Sequence, residues 1–469
     1  MDPEKRARRQ SLRIIVSECF MVLAVVITVA ILALVVSGYW VNSDFKIERQ
    51  GMLQISSVPT GADVIVDGET AWNQRTNTSK VLASGEHTIE LKKDGYDSWS
   101  RKINVFEGLL YRIHYPRLFL LEREKQNVYD MSSVSLATVS PNREQIVLAN
   151  NTTEWQVIDL TEDNLTPKNI DVSGIFTSVS MAPGATKGLF NGSILDIDWS
   201  SNNERLLIKA SVDSRYEWVV IDIKNPSESA NLTKLFNSDF SKVSITNHSA
   251  SNFLAILDGN LHKINLDSRQ ISAVLVEDVI DYDYYDSEII ISAKSQPDEE
   301  SELQYYVGLL NNHNEKPEVI KRTKAMPLVA LSRFYDNKYI TVLEEKQLEV
   351  FEKNSRATYL SGTISNDVSD LTVGHAGEFQ TAISGNNIAV VDMEAKAIVE
   401  WFTESSFGWL DPDMIYTVKD GELIVYDYDG LNRRSLANNV SSHFPVTITS
   451  DKWLYYVSDN QLVREKIMD

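Results

Sequence analysis

Hydrophobic residues follow two different patterns along this chain. Residues Cys19 to Ser37 are almost all apolar and include no charged side chain, whereas from residue 51 onwards short apolar stretches alternate with polar residues and are separated by Asn, Asp, Gly and Ser. An α-helix of about 20 apolar residues crosses the hydrocarbon core of a bilayer. Period-two alternation bounded by turn residues is typical of β-strands. The pattern predicts one N-terminal transmembrane helix followed by an all-β ectodomain.

The charges around the apolar segment predict its orientation. Five basic residues precede it within the first 13 positions, whereas the charges that follow it are of mixed sign. Basic residues are enriched on the cytoplasmic side of membrane proteins. We therefore expect a single-pass cell-membrane protein with a cytoplasmic tail (1–13), a transmembrane helix (14–40), a linker (41–50) and extracytoplasmic C-terminal domains. The predicted anchor residues are Cys19, Phe20, Leu23, Ile27, Ile31, Leu34, Tyr39 and Trp40.

A cleaved secretory signal is the alternative interpretation of the same segment. The apolar region of such signals is about 7–15 residues long and ends in small residues. This segment is longer, and Val35, Val36 and Ser37 form only a weak cleavage site. The aromatic pair Tyr39 and Trp40 fits a membrane interface. These features favour an uncleaved anchor.

Residues 51–115 are predicted to form a small β-sandwich. Strand patterns cover Met52–Val58, Asp63–Asp67, Thr88–Lys92 and Trp99–Phe106, and the polar stretch Glu69–Lys80 is predicted to be a loop. Pro and Gly between the first two patterns, and Asp-Gly after the second, are typical of tight turns.

The turn residues of this segment resemble those of the PEGA domain. The matching residues are Pro59, Gly61, Ala62, Asp67, Gly68, Gly85, Gly95 and Tyr96. Thr60 stands where PEGA domains usually have glutamate. The resemblance implies a small extracytoplasmic β module of prokaryotes, and hence a bacterial cell-envelope protein.

Residues 116–469 repeat short strands at a spacing of about 40 residues, which is typical of a β-propeller. The repeats resemble those of bacterial TolB-like and quinoprotein-like propellers. Eight blades are predicted, with seven as the alternative if Ile170–Leu189 is an insertion. Arg117–Glu122 is predicted to supply the outer strand of the last blade, which would close the ring. The predicted blade starts are Val134, Ile194, Val243, Val279, Leu328, Val368, Phe407 and Phe444.

Composition excludes two kinds of feature. The formal net charge is −21, so the chain is not expected to bind nucleic acid. Cys19 is the only cysteine, so an intrachain disulfide cannot form.

Motifs of cofactor binding and catalysis are absent from the sequence. It contains no phosphate-binding loop, no dinucleotide fingerprint, no H-E-x-x-H and no G-x-S-x-G, and its seven histidines are scattered singly. We therefore expect no cofactor. Asp281, Asp283 and Asp286 are the candidates for a metal site because carboxylates suit Ca²⁺. A solvated strand face is the other interpretation of these residues.

Two functions are compatible with this sequence. The propeller face can serve as a binding or scaffold surface for an envelope protein, a peptide or a glycan. Alternatively, the chain is an exported hydrolase with its site at the propeller mouth. The absence of catalytic motifs favours a binding protein that is not an enzyme. Signalling across the membrane is disfavoured because only about 13 residues precede the anchor.

Overall fold

The structure, a computed structural model, describes most of the chain. The described residues are 18, 20–33, 39–41, 47–130, 134–150, 153–180, 188–212, 214–246, 251–295, 303–311, 316–374 and 377–469. They form two compact units, which divide between Glu122 and Arg123.

The N-terminal segment is helical over residues 20–33. Four predicted anchor residues lie on this helix with exposed side chains, whereas Cys19 and Leu34 lie outside the described residues. Within the described ranges, no helix has the length and apolar character needed to cross a bilayer. The prediction of a helix through Trp40 is wrong at its end. Tyr39–Val41 instead form a strand, because their backbone pairs with Ile47–Arg49.

The first unit contains two β-sheets. Its strands are β1 (Tyr39–Val41), β2 (Ile47–Ile55), β3 (Asp63–Val66), β4 (Glu69–Arg75), β5 (Thr78–Ala83), β6 (Gly85–Lys92), β7 (Trp99–Val105) and β8 (Leu110–Ile113). In one sheet β2 pairs with β1, β5 and, in parallel, β8. The other sheet has the order β4-β3-β6-β7.

Alternate residues of these strands form the core of the first unit. Leu53 and Ile55 of β2, Val64 of β3, and Leu91 of β6 are fully buried, and so is Trp99 of β7. The alternation that predicted these strands therefore reflects one buried face per sheet.

The prediction of a loop over Glu69–Lys80 is wrong, because β4 and the first half of β5 occupy this stretch. Asp67 and Gly68 join β3 to β4 in a tight hairpin, and both have positive φ angles, 54° and 82°. Strand β4 lies at the edge of its sheet and consists mainly of polar residues. An edge strand needs no continuous apolar face, so its sequence resembles that of a loop.

The second unit contains eight four-stranded antiparallel sheets, the blades of a β-propeller. The strands of blades 1 to 4 are β10 (Leu136–Val139), β11 (Gln145–Ala149), β12 (Glu154–Asp159), β13 (Lys168–Asp171), β16 (Ser193–Trp199), β17 (Arg205–Val212), β18 (Arg215–Asp222), β19 (Ala230–Asn231), β20 (Phe240–Ile245), β21 (Asn252–Leu257), β22 (Asn260–Asn265), β23 (Gln270–Ile271), β24 (Val279–Tyr285), β25 (Glu288–Lys294), β26 (Tyr305–Leu310) and β27 (Glu318–Thr323). A 3₁₀ turn (Pro226–Glu228) and a short helix (Leu232–Phe236) flank β19.

Blades 5 to 8 follow the same order, except that the outermost strand of blade 8 comes from the start of the unit. Their strands are β28 (Pro327–Phe334), β29 (Asn337–Glu344), β30 (Gln347–Glu352), β31 (Thr358–Thr363), β32 (Asp370–Val373), β33 (Phe379–Ser384), β34 (Asn387–Asp392), β35 (Ala397–Phe402), β36 (Phe407–Trp409), β37 (Met414–Lys419), β38 (Glu422–Asp427), β39 (Arg434–Ala437), β40 (Thr447–Thr449), β41 (Trp453–Ser458), β42 (Gln461–Lys466) and β9 (Lys125–Asp130).

Eight blades agree with the first sequence-based count, and each blade begins within three residues of its predicted start. The stretch predicted as an insertion in the seven-blade alternative contributes differently. Its first residues belong to β13, the outer strand of blade 1. Two short strands, β14 (Val179–Ser180) and β15 (Leu189–Phe190), then form a separate ribbon before blade 2.

Strand β9 closes the ring, which corrects the prediction that Arg117–Glu122 would do so. It pairs with β42 over five residue pairs. Side chains of blade 8 also reach blade 1, because the Tyr455 hydroxyl donates to the Leu160 carbonyl at 3.0 Å and the Thr449 hydroxyl to the Arg143 carbonyl at 2.6 Å. The first and last blades are therefore joined by both main chain and side chains.

Tryptophan side chains tie neighbouring blades together, as their positions within strands predict. The indole Nε1 of Trp199 in blade 2 donates to Thr138 Oγ1 in blade 1 at 2.9 Å. Trp218 likewise donates to the Phe240 carbonyl of blade 3 at 2.9 Å. Each indole buries a large apolar surface and satisfies its single donor in the adjacent blade.

The polar residue at the end of the third strand recurs for a structural reason. The side chains of Asp159, Asp222, Asn265 and Asp392 each accept a hydrogen bond from a backbone N–H two or three residues further on. Asx side chains stabilise tight turns in this way. The repeated Asp or Asn therefore marks the turn that leads to the fourth strand.

Candidate functional site

Residues of six blades surround a cavity of about 860 Å³. Blades 2 to 6 line it with residues at the C-terminal ends of β16, β20, β24, β28 and β32, and blade 1 contributes Pro141 after β10. Small-molecule sites typically have volumes of about 300–1,000 Å³. The cavity is thus large enough for a peptide segment or a short glycan.

Three neighbouring blades place charged residues at equivalent positions of their inner strands. Strands β16, β20 and β24 each have an irregularity in their pairing, after which come Asp196, Lys242 and Asp281. Two residues further along, β16 and β24 carry Asp198 and Asp283. Residues i and i+2 of a strand share one face. Asp196 and Asp198 therefore lie on the same side of β16, and Asp281 and Asp283 on the same side of β24.

Lys242 is held firmly within this group. Its Nζ lies 2.6 Å from Asp281 Oδ1 and 2.8 Å from the Tyr282 carbonyl oxygen. It also lies 4.8 Å from the centre of the Tyr282 ring, whose side chain is fully buried. The Tyr282 hydroxyl donates to the Leu254 carbonyl at 2.8 Å, so the lysine stands on a rigid aromatic support.

Asp198 is a carboxyl group of the cavity lining whose surroundings shift its pKa. Its side chain lies on the wall of the cavity, where water reaches it but protein atoms surround it on the other sides. Loss of bulk hydration raises the pKa of Asp198 to about 6, aided by the charge of Asp196 and opposed by a hydrogen bond from the Trp199 backbone and by Lys242. This group can therefore exchange a proton in mildly acidic solution.

Asp283 has a different environment in the same cavity. The Leu331 backbone N–H donates to its Oδ2 and the Tyr284 N–H to its Oδ1, both at 2.7 Å. Burial raises the pKa of Asp283, although these two hydrogen bonds oppose the shift. Its carboxylate also links the inner strands of blades 4 and 5.

The three predicted metal-site residues have different partners. Asp281 pairs with Lys242, Asp283 accepts backbone N–H groups, and Asp286 contacts Lys338 Nζ at 2.9 Å in the turn before β25. Only Asp283 belongs to the cavity lining. Asp281 and Asp286 thus form ion pairs, whereas Asp283 is held by backbone hydrogen bonds.

Aromatic and basic side chains form the rim of the cavity. Tyr335 is 62% exposed, and its hydroxyl donates to Glu394 Oε2 at 2.7 Å. Arg333 is about half exposed, and its Nε donates to the Tyr335 carbonyl at 3.0 Å. Tyr284 and Tyr285 complete this part of the lining.

Sequence reasoning missed Asp198, Arg333 and Tyr335. One signal was available, because an Asp-x-Asp pair occurs in the inner strand of blade 2 and again in that of blade 4. Alignment of the blade repeats would have placed Asp198 and Asp283 at equivalent positions of their inner strands.

The PEGA signature residues have structural roles in the turns and the core of the first unit. Gly61, Gly85 and Gly95 have φ angles of 78°, 136° and 81°, which favour glycine, and Ala62 is fully buried. Pro59 follows a cis peptide bond, and Tyr96 is half-buried in the turn after β6.

Asp67 has an additional role at its hairpin. It accepts hydrogen bonds from the Thr88 N–H at 2.8 Å and contacts His87 Nδ1 at 2.7 Å. The hydrogen bond to His87 holds the pKa of Asp67 below its usual range. Burial alone would lower the pKa of His87, but its bonds to Asp67 and the Ala83 carbonyl raise it.

The Asp198→Asn substitution is expected to stabilise the protein near neutral pH. A folded-state pKa of about 6, above the usual 3.8, means that the folded state binds the extra proton between about pH 4 and 6. Stability from this group is present below that window and is lost as pH rises through it. The variant should therefore melt above the wild type at about pH 7 and close to it at about pH 4. Asp267→Asn, at an exposed position of the propeller, is the control for removal of one carboxylate. A melting-temperature difference between the wild type and Asp198→Asn that is the same at every pH in this range would contradict the assignment.

A comparison with known protein families identifies part of the first unit. Residues 50–116 match the PEGA domain family, so the first unit contains a PEGA domain. No curated protein matches the chain significantly.

Several solved structures resemble the chain at low identity. The Dos1 propeller is 12% identical, with a TM-score of 0.42 over 74% of this chain and 94% of that chain. An oligogalacturonate lyase in complex with manganese is 11% identical, with a TM-score of 0.40 over 58% of this chain and 88% of that chain. KlHsv2 with a Gly-Ser linker replacing loop 6CD is 13% identical, with a TM-score of 0.38 over 58% and 90%. At these values the likenesses carry no argument about activity, and the propeller assignment rests on the sheet topology.

Proposed function

We propose that the propeller is the binding module of a membrane-anchored, extracytoplasmic protein of the cell envelope. Its partner, a protein, peptide or glycan, engages the cavity and its rim. The observation that carries this proposal is the convergence of Asp198 and Asp283 with Trp199, Tyr284, Tyr285 and Tyr335 around one cavity.

The chemistry of the lining suits such partners. Carboxylates accept hydrogen bonds from hydroxyl or ammonium groups. Exposed tyrosine rings supply contact area at a small cost in side-chain entropy, and tyrosine and arginine are enriched at the centres of binding sites. The cavity therefore offers acceptors inside and aromatic anchors at its edge.

Membrane anchoring is part of the same proposal. The apolar helix contains Phe20, Leu23, Ile27 and Ile31, and basic residues precede it in the sequence. The Thr28 hydroxyl donates to the Ala24 carbonyl at 2.8 Å, so the hydroxyl is satisfied within the helix. Such internal pairing allows a polar side chain to enter an apolar environment.

An exported hydrolase is the second candidate, and one observation favours it. Asp198, with its pKa raised to about 6, shares the cavity with Asp283. Two carboxyl groups in different environments can divide the roles of proton donor and charged partner. The two backbone hydrogen bonds to Asp283 favour a structural role for that group. Hydrolysis of a glycan or peptide by the wild type, abolished in Asp198→Asn, would replace the binding proposal.

Substitution at the rim tests the binding proposal. The full chain, in detergent, is immobilised and exposed to envelope extract, and the retained proteins and glycans are quantified. Tyr335→Ala is expected to reduce capture of the main partner about tenfold, since loss of an aromatic anchor costs about 1.4 kcal/mol.

Tyr216→Ala is the matched control. Tyr216 is 53% exposed and lies at the start of β18, outside the cavity lining. Its loss should leave capture unchanged. Equal capture by the wild type and Tyr335→Ala, or retention of no envelope component at all, would refute this role of the cavity.

A further inference from the structure

The PEGA domain carries an exposed apolar patch that its own fold does not cover. Met52 of β2 lies opposite Val81 of β5 and beside Leu110 of β8. Phe106 and Leu109 belong to the turn between β7 and β8. These five side chains, which we call the β2 patch, are each between 38% and 54% exposed. Gln54 of β2 and Arg112 of β8 lie two residues further along on the same face.

Firm backbone packing presents the β2 patch. The Gly108 N–H donates to the Gln50 carbonyl, and the Met52 N–H donates to the Leu109 carbonyl, both at 3.0 Å. Gly51 lies beneath this turn, and a Cβ there would be 2.6 Å from the Phe106 carbonyl oxygen. Phe106 and Leu109 are therefore exposed because the turn is fixed in this position.

The register of the same sheet indicates what covers the patch. Tyr39 of β1 pairs with Arg49 and Trp40 with Glu48, so the aromatic pair expected at the membrane interface belongs to the sheet that carries the patch. From Arg49 to Met52 is three residues, or about 10 Å along β2. If the aromatic pair lies at headgroup level, the patch is within reach of the same bilayer surface.

We propose that the β2 patch rests on the phospholipid bilayer that holds the anchor, with Phe106 and Leu109 entering the headgroup region. This inference depends on the proposed membrane anchoring and is independent of what the propeller binds. Apolar side chains of amphipathic surfaces enter about 5–10 Å into the interface. Arg112, exposed on the same face as Leu110, is placed to meet lipid phosphates. The PEGA domain would then contact the bilayer directly, and this contact would set the orientation of the domain on the membrane.

Single-cysteine labelling tests this contact in the full chain. Because Cys19 is the only cysteine, Cys19→Ser removes the background thiol. Leu109→Cys is labelled with a fluorophore and reconstituted into vesicles of phosphatidylcholine and phosphatidylglycerol that contain nitroxide-bearing lipid. The control is Asp94→Cys, in the turn at the other end of β7, about 20 Å from the patch.

We expect quenching at position 109 to exceed that at position 94 about threefold or more, because quenching by lipid nitroxides requires immersion in the interface. Flotation of the same vesicles reports anchoring separately, and the capture assay with Tyr335→Ala reports the propeller. Floating protein with equal quenching at both positions would overturn the patch proposal while leaving the anchor and the binding function intact.

The two remaining outcomes also decide the question. Concentration-dependent energy transfer between labels at position 109, without lipid quenching, would assign the patch to a second copy of the chain and overturn the proposal. Protein that does not float with the vesicles would overturn both the anchor and the membrane contact.

Discussion

Replacing Arg205 with methionine should lower the free energy of unfolding of the propeller by about 3–5 kcal/mol, because it leaves a buried carboxylate without its cation. Arg205 Nε lies 2.8 Å from Asp222 Oδ2, and the two side chains are only 7% and 6% exposed. Asp222 is also the residue whose side chain stabilises the turn after the third strand of blade 2. The loss should appear as a lower denaturation midpoint.

Two further variants show whether the buried charge is the cause. Lys224→Met removes one partner of the exposed pair with Glu204 in the same blade and should cost less than about 1 kcal/mol. The double variant Arg205→Met with Asp222→Leu removes both charges and should recover part of the loss. Arg205→Met and Lys224→Met with equal midpoints, or a double variant as unstable as the sum of its parts, would show that the ion pair is not the source of stability.

Reagents that cannot cross a membrane should distinguish the two ends of the chain completely. In a Cys19→Ser background, a cysteine introduced at the exposed position Asp267 of the propeller should react with a membrane-impermeant maleimide on intact cells. The cells are first treated so that the reagent can pass the outer layers of the envelope. A thiol at Ser11, within the basic tail, should react only after the cell membrane is permeabilised. The reason is the charge asymmetry about the apolar segment.

The opposite labelling pattern would reverse the proposed orientation. Labelling of both positions on intact cells would remove the anchor from the proposal. The parent Cys19→Ser chain, which has no thiol, gives the background in both cases. Labelling needs only a thiol on the protein surface, so the measurement does not require the propeller to unfold.

The elements with a buried face were predictable from the sequence, since their hydrophobic pattern reflects local geometry. The second and third strands of blades 1 and 2 each bury a run of consecutive residues, because they pack against neighbouring blades on both faces. The Asp67-Gly68 hairpin was predictable too, because few residues adopt positive φ angles readily.

Outer strands were harder to predict, because solvent covers one of their faces. The closing strand β9 is exposed at four of its six positions, and only Val128 and Tyr129 are partly buried. The sequence instead favoured the neighbouring stretch Arg117–Glu122, which directly follows the small domain. Within the PEGA domain, the edge strand β4 resembles a loop because most of its residues are polar.

The cavity could not be derived from any single segment. Asp198 and Asp283 are far apart in sequence, and their shared environment exists only once the blades form a ring. The raised pKa of Asp198 follows from the protein atoms that the ring places around it. A local pattern records the polarity of a residue but not the distant elements that will surround it.

Closure of the ring by its two ends sets the order in which the propeller can be completed. Gln126 of β9 meets Arg464 of β42, 338 positions later in the chain. At ordinary rates of protein synthesis, about 20–70 s separate the appearance of these two residues. During that interval β9 has no partner strand, so a chain released early cannot assemble its final blade. An interrupted translation product would therefore expose an unpaired strand edge, a feature by which proteolytic surveillance can tell it from the finished protein.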